Sequence, residues 1–257
     1  MEYAIVIFVA FGASMLTFFS GFGLGSMLTP AFILFFPPEI AVAATAIVHF
    51  LNNLFKLVLI GKHTVWRIAL TFGMPAIIGA FIGAYLLGWI AGLEDDQTIH
   101  LFGDMSTSLI NLIIGVLIIF FSLFELIPFL KRIQFKENKL LLGGLISGFF
   151  GGVSGHQGAL RSAFLIKLPL TKEQFVATGI VIACVIDTIR IGTYAVSFDF
   201  TAIADSYMLV VSATLSAFIG AFFGKRLMKK VTIGFMQTLV GVLMIAIGVL
   251  LIFGFME

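Results

Sequence analysis

Two glycine-rich segments interrupt long apolar runs in this chain: Ser20-Gly21-Phe22-Gly23-Leu24-Gly25-Ser26 and Gly151-Gly152-Val153-Ser154-Gly155-His156-Gln157-Gly158. Backbone that unwinds at membrane depth is tolerated only where it is buried in protein or lines a polar cavity. A half-helix starting after such a break points its free N–H groups and the positive end of its dipole into that cavity, which suits an anion. Arg161 comes three residues after Gly158, in the first turn of the second half-helix as the sequence predicts it. Its guanidinium would add five donors and a full charge to the dipole field. Ser20, Gly23, Gly25, Ser26, Ser154, His156, Gln157 and Arg161 are therefore candidate substrate-binding residues. A plainer reading stands beside this one: the glycines only permit tight helix crossing, and Arg161 reaches from a shallow hairpin toward Lys167.

A second set of polar residues lies on one predicted helix. Thr45, His49, Asn52, Asn53 and Lys56 follow at +4, +3, +1 and +3 and share one face. A polar stripe on a spanning helix should face a cavity or a partner rather than lipid. In the corresponding helix of the second half, Thr178 matches Thr45, each after an alanine. Thr45, His49, Asn52 and Thr178 thus join the substrate-binding candidates, with plain hydrogen bonding across helices as the alternative. Lys56 can line the same cavity or snorkel toward Lys62. Asp187 and Arg190, at i, i+3, form a candidate structural ion pair. The embedded charges are then Lys56, Arg161 and Arg190 against Asp187, a net positive interior that favours an anionic substrate. His49 and His156 are the embedded groups that titrate near neutrality, which makes them candidates for proton coupling. Cys184 is the only cysteine, so an internal disulfide and a Cys-based metal centre are excluded; no metal or cofactor is expected.

The elements that must position these residues are membrane spans. With 60% hydrophobic and 11% charged residues, the chain is far from the roughly 25% charged of soluble domains. A net charge of +2 makes no electrostatic case for nucleic acid, so the expected partners are the lipid bilayer and a small-molecule anion. Of the 15 Lys and Arg residues, all but Lys56, Arg161 and Arg190 fall in four short segments, at 62–67, 131–139, 167–172 and 225–230. The segments between carry acids only, among them Glu39, Glu94, Asp95, Asp96, Asp104, Asp199, Asp205 and Glu257, so the basic segments are predicted to be cytoplasmic. The predicted order is a hairpin over 3–36 broken at 20–30, then helices 40–60, 67–91 and 107–130. A second hairpin follows, over 140–150 and 159–166 with its break at 151–158, then helices 173–197, 206–224 and 233–255. Both termini come out on the outside.

Three sequence pairs recur in the same order. They are Ser20-Gly21-Phe22 with Ser147-Gly148-Phe149, the 80–85 stretch AFIGAY with the 217–222 stretch AFIGAF, and Ile114-Gly115-Val116-Leu117 with Val240-Gly241-Val242-Leu243. The expected fold is an all-α integral membrane protein of two inverted-topology repeats, each a helical hairpin with a Gly-rich break plus three transmembrane helices. Repeat 1 covers 1–130 and repeat 2 covers 131–257, within a single membrane domain. Inverted repeats with broken apolar segments are the mark of secondary transporters with a site at the repeat interface.

On Ser20 to Gly25, Pro30, Pro37-Pro38, Ala41 to Thr45, Gly148, Gly151 and Gly152, the chain resembles the TauE/SafE family of sulfite exporters and toluene-sulfonate uptake permeases. The resemblance runs over nearly the whole length and implies a non-enzymatic transporter of sulfur-containing or organic acid anions in the bacterial cytoplasmic membrane. Two other readings stay open. One is a membrane scaffold or assembly factor without a substrate, which predicts a sealed polar interior. The other is an intramembrane serine protease, suggested by the string Gly152-Val153-Ser154-Gly155 with His49 or His156 as a base.

Overall fold

The structure is a computed structural model that describes residues 2–20, 23–93, 98–100, 106–127, 134–227 and 234–255. Gly21, Phe22, Glu94, Asp95, Asp96, Asp104, Lys131, Arg132, Lys229, Lys230 and Glu257, which carry parts of the expected breaks and topology, lie outside the described residues, as does the side chain of Ser20.

Helix α1 (Glu2–Ser20) is followed by α2 (Leu24–Ile33), α3 (Pro38–Ile60) and α4 (Trp66–Ala91). A two-strand antiparallel hairpin, β1 (Thr98–His100) with β2 (Ser106–Ser108), leads into α5 (Leu109–Leu126). Then come α6 (Leu140–Ser154), α7 (Gln157–Leu165), α8 (Lys172–Ser197), the short α9 (Thr201–Asp205), α10 (Tyr207–Leu227) and α11 (Gly234–Ile252). Local chemistry explains several boundaries. Pro37 disfavours helical backbone at the residue before it, and Pro38 sits in the first turn of α3, where a missing N–H costs nothing. Thr171 and Gln174 form a capping box at the start of α8. Ser108 accepts from Asn111 N at 3.1 Å, which starts α5 at residue 109 instead of the expected 107. The hairpin β1–β2 and α9 were not among the expected elements.

Both breaks are narrower than the sequence predicts. Gly25, Ser26 and Pro30 lie inside α2, and Gly151 to Ser154 lie inside α6. Among the described residues of the breaks, only Gly23 (φ 128°) and Gly155 (φ 80°) take the left-handed backbone that ends helical geometry. Ser147-Gly148-Phe149 opens no break, because it sits in the middle of α6. Its glycine serves packing: a Cβ at Gly148 would run into the backbone of Ala76 in α4.

Glycines set the helix pairing throughout. Gly79 and Gly83 of α4 have no room for a side chain against Leu145, Phe149 and Val153, and Gly144 and Gly152 of α6 meet Phe72 and Ala80 in return. Gly220 of α10 meets the carbonyl of Phe11 in α1, where Ser216 Oγ also donates to Ile7 O at 2.7 Å. Gly115 of α5 and Gly248 of α11 face one another. In lipid, close backbone approach of this kind replaces the hydrophobic drive that water would supply. The pairing pattern is reciprocal: α4 packs on α6 and α8, α10 packs on α1 and α3, α5 packs on α11, and α3 crosses α8 at the centre.

Among the described residues, four helices are long and apolar enough to cross a membrane: Pro38–His63, Trp66–Ala91, Lys172–Ser197 and Tyr207–Arg226. Their outer faces carry exposed apolar side chains such as Val58, Ile78, Val196 and Leu215. Trp66 and Trp89 stand exposed near the two ends of α4, about 35 Å apart at a helical rise of 1.5 Å per residue. That spacing matches a bilayer core of about 30 Å with an aromatic residue at each interface.

Candidate functional site

Among the described residues, the crossing of α3 and α8 carries most of the buried His, Lys, Arg and Asp side chains. Asp187, residue 16 of the 26 in α8, is fully enclosed. Its Oδ1 accepts from Gln157 Nε2 at 3.0 Å and from Arg190 Nε at 3.0 Å, with Arg190 Nη2 at 2.9 Å. Its Oδ2 lies 2.6 Å from His49 Nδ1 of α3. An ionised carboxylate can only accept, so His49 carries a proton on Nδ1. Asn53 Nδ2 lies against the His49 ring, 3.2 Å from Nδ1 and 3.4 Å from Nε2.

Gln157, the first residue of α7, passes the network onward. Its Oε1 accepts from Arg161 Nη1 at 3.1 Å, and its main-chain oxygen accepts from Ser147 Oγ at 2.9 Å. Because α7 starts at Gln157, Arg161 is its fifth residue and not in the first turn as expected. The guanidinium lies over Gly179 of α8, where a Cβ would be 3.3 Å from Nε. Lys56 is completely buried and does not snorkel. In the amide orientation that suits all its neighbours, Asn52 accepts from Lys56 Nζ at 2.9 Å and donates to Ala217 O and Ser14 Oγ, both at 3.1 Å. Lys56 and Arg161 stand within electrostatic reach of each other, and Cys184 within reach of both and of Asp187.

Arg190 has a second task. Its Nη1 approaches Gly151 O at 3.4 Å, and Tyr194 Oη donates to Gly152 O. These are carbonyls of the last turn of α6, the partly negative end of the helix, and Gly151 O also accepts from Gly155 N at 3.0 Å. Arg190 and Tyr194 therefore cap α6 and hold it where the chain turns at Gly155. The two breaks meet at that turn: a Cβ on Gly25 would be 2.9 Å from Gly155 O, and one on Gly155 would be 2.9 Å from Arg190 Nη1.

The other candidates fall around this cluster. Thr45 is buried with no hydrogen-bond partner for its hydroxyl among the described residues. Thr178, in the second turn of α8, serves the turn before α4, where its hydroxyl accepts from Val65 N at 3.0 Å. Ser26 is buried in the first turn of α2. His156 stacks on Phe121 with centroids 5.1 Å apart, and its Nδ1 lies 3.1 Å from Ser154 Oγ. That pair does not have the polarity a serine nucleophile needs. Ser154 Oγ already gives its proton to Phe150 O at 3.1 Å, so His156 must donate to the serine, where a general base would have to accept.

Ser14, Ser147, Phe121 and Tyr194 belong to the arrangement and were missed in the sequence. Tyr194 had a signal, because it stands at i+4 from Arg190 and i+7 from Asp187 on the same face of α8. Ser14 had none, being a lone serine in an apolar helix.

The cluster is enclosed: His49, Asn52, Lys56, Gln157, Arg161, Asp187 and Arg190 are each no more than 6% exposed. Three cavities lie elsewhere. One of 730 Å³ is bounded by Phe36, Pro38, Glu39, Asn111 and Phe255, where α2, α3 and α5 meet. An apolar groove of 240 Å³ runs between α1, α2 and α11, and a cleft of 230 Å³ lies beside Arg67 and Glu137. Among the described residues no group of three or more His, Cys, Asp or Glu side chains could hold a metal ion.

No curated protein and no solved structure matches the chain. The model of the family described as sulfite exporter TauE/SafE matches residues 6–251, nearly the full length and both halves of the helix arrangement. This transporter-family membrane protein therefore belongs to the sulfite exporter TauE/SafE family.

Proposed function

We propose that the protein is a secondary transporter that moves a small anion, sulfur-containing or an organic acid, across the bacterial cytoplasmic membrane by alternating access. The observation that carries this reading is the contact of Gly25, in the first turn of α2, with the turn at Gly155 that leads into α7, beside a buried cluster with three cations and one carboxylate. Two half-helix dipoles and the charges of Lys56 and Arg161 favour an anion between them. Arg161 and Gln157, with the first amides of α7, are the proposed ligands, and Asn52 and Lys56 line the opposite side. Ser26 and the first amides of α2 complete the pocket.

The reciprocal pairing, α4 on α6 as α10 on α1, supports two inverted repeats at 1–130 and 131–257 with both termini outside. Under that topology the 730 Å³ cavity is an outer vestibule. The cluster is sealed from it, so entry requires the two halves to rock against each other, with the α3–α8 crossing as the pivot.

A sealed and internally hydrogen-bonded interior is also what a substrate-free scaffold would have, and this is the second reading. A binding screen of the purified protein against sulfite, sulfonates and carboxylates separates the two. The transporter reading expects one of these anions to bind. It also expects Arg161→Lys to weaken binding about tenfold or more, since a point charge cannot replace the planar fork. Lys225→Gln, whose lysine donates to Leu59 O at an exposed position, should change binding less than about twofold. No binding to any of the three classes would leave the scaffold.

A further inference from the structure

The His49–Asp187 contact joins the central helix of each half across 138 residues of sequence, and neither residue is needed to close a helix. Resting on the transporter reading above, we propose that His49, held by Asp187, is the proton site of the transporter, and that a proton and the anion bind and travel together.

In the neutral ring Nδ1–H faces Asp187 Oδ2 at 2.6 Å and Nε2 carries no proton, while Asn53 Nδ2 lies against the ring, 3.2 Å from Nδ1 and 3.4 Å from Nε2. A proton added to Nε2 turns an acceptor into a donor and places a full charge beside the Asn53 amide. The change has little room to dissipate, because His49 is 6% exposed and Asn53 1%. The charged groups facing His49 are Asp187 and Arg190 from α8 and Lys56 from its own helix. Arg161 of α7 acts on Lys56 and Asp187, and Tyr194 and Cys184 are the remaining titratable groups of that face of α8. From α10, which also packs on α3, Lys225 binds Leu59 O near the far end of α3, and α2 carries no titratable side chain.

Protonated His49 would add a fourth positive charge to a cluster with one carboxylate. Without an anion that charge is opposed by Lys56 and Arg190; with an anion bound beside Arg161 and Gln157 it is favoured. The anion raises the affinity for the proton, and by linkage the proton raises the affinity for the anion by the same factor. The path between them is short: His49 and Gln157 share the Asp187 carboxylate, and Gln157 holds Arg161. His156 is not on that path. It touches Ser154 and Phe121, and no hydrogen bond joins it to Asp187 among the described residues.

The test uses the full-length protein in detergent with sulfite, sulfate and methanesulfonate. The last two do not titrate between pH 5 and 8 on general chemical grounds. Calorimetry in two buffers of different ionisation enthalpy counts the protons taken up on binding. The proposal expects a net proton uptake that peaks between about 0.4 and 0.85 proton per anion, with affinity falling between about 5- and 150-fold in total as pH rises through the window. His49→Gln, which can still donate to Asp187, should bind with no proton uptake and no pH dependence, while His156→Gln keeps the uptake. Binding without proton uptake in the unaltered protein overturns the coupling and leaves the transporter reading standing. Uptake that persists in His49→Gln or disappears in His156→Gln moves the proton elsewhere and overturns it too. If none of the three anions binds, the transporter reading fails and the coupling with it.

Discussion

At the scale of single residues, Asp187 is the buried carboxylate that joins α3, α7 and α8. Its two oxygens serve Gln157, Arg190 and His49, and all of these are shut off from solvent. Removing one partner of a buried pair leaves a charge without compensation, which costs about 3–5 kcal/mol. Asp187→Ala is therefore expected to lower the unfolding temperature in detergent sharply, or to prevent accumulation of folded protein. Asp205→Asn, at an exposed position, should stay within about 0.5 kcal/mol of the parent. Equal effects would mean that water or lipid headgroups reach Asp187. The second residue-scale consequence concerns Arg190. By touching both Asp187 and the last turn of α6 it is a structural group, which leaves Arg161 and Lys56 as the cations turned toward the proposed anion.

At the scale of elements, the turn between α6 and α7 depends on one left-handed residue. Gly155 has φ 80°, and a Cβ there would lie 2.9 Å from Arg190 Nη1. Gly155→Ala is expected to cost about 1–2 kcal/mol in backbone strain, with more from displacing the guanidinium. Gly73, in the interior of α4 with nothing within 4 Å of its Cβ position, gives the contrast. Gly73→Ala should stabilise the fold by about 0.5–1 kcal/mol. Thermal unfolding of the two variants side by side checks the pair, and a neutral Gly155→Ala would show that the turn can rearrange. The glycines of the α4–α6 seam answer to a different constraint. Their backbone is ordinary helix, and they are small because the opposite backbone is in contact.

At the scale of the whole molecule, the proposed inverted arrangement makes a side-specific statement about every loop. In a Cys184→Ser background, Lys62→Cys and Lys167→Cys should react with a membrane-impermeant thiol reagent only from the cytoplasmic side. Asp199→Cys and Phe255→Cys should react only from the outside, since all four positions are exposed. Reaction of Lys167→Cys and Asp199→Cys from the same side would mean that α8 does not cross, and the two halves would not be inverted copies. The same pattern bears on movement. The enclosed cluster sits between two seams of small residues, where helices can slide without uncovering polar groups to lipid.

The sequence by itself determined the membrane class, the approximate spans, the family and the polar faces of α3 and α8. All of these follow from local regularities: long apolar runs, charges sorted into loops, and polar residues three or four apart. The spacing of Asp187 and Arg190 also announced a contact within one helix, where geometry is set by the helix itself. What only the tertiary structure decided is which distant groups meet. Nothing in the spacing of His49 or Asp187 joins the two, Ser14 gives no sign of Asn52, and Thr178 turns out to serve the turn at Val65. These partners depend on how far each helix is rotated and where it crosses its neighbour. The rotation is fixed by glycine seams such as Gly79 and Gly83 against α6, whose closeness is a property of two backbones at once. For the same reason Ser147-Gly148-Phe149 reads like a break in the chain and is a helix interior in space. A glycine marks a place where something must come near, and only the folded molecule says whether that is a turn or another helix.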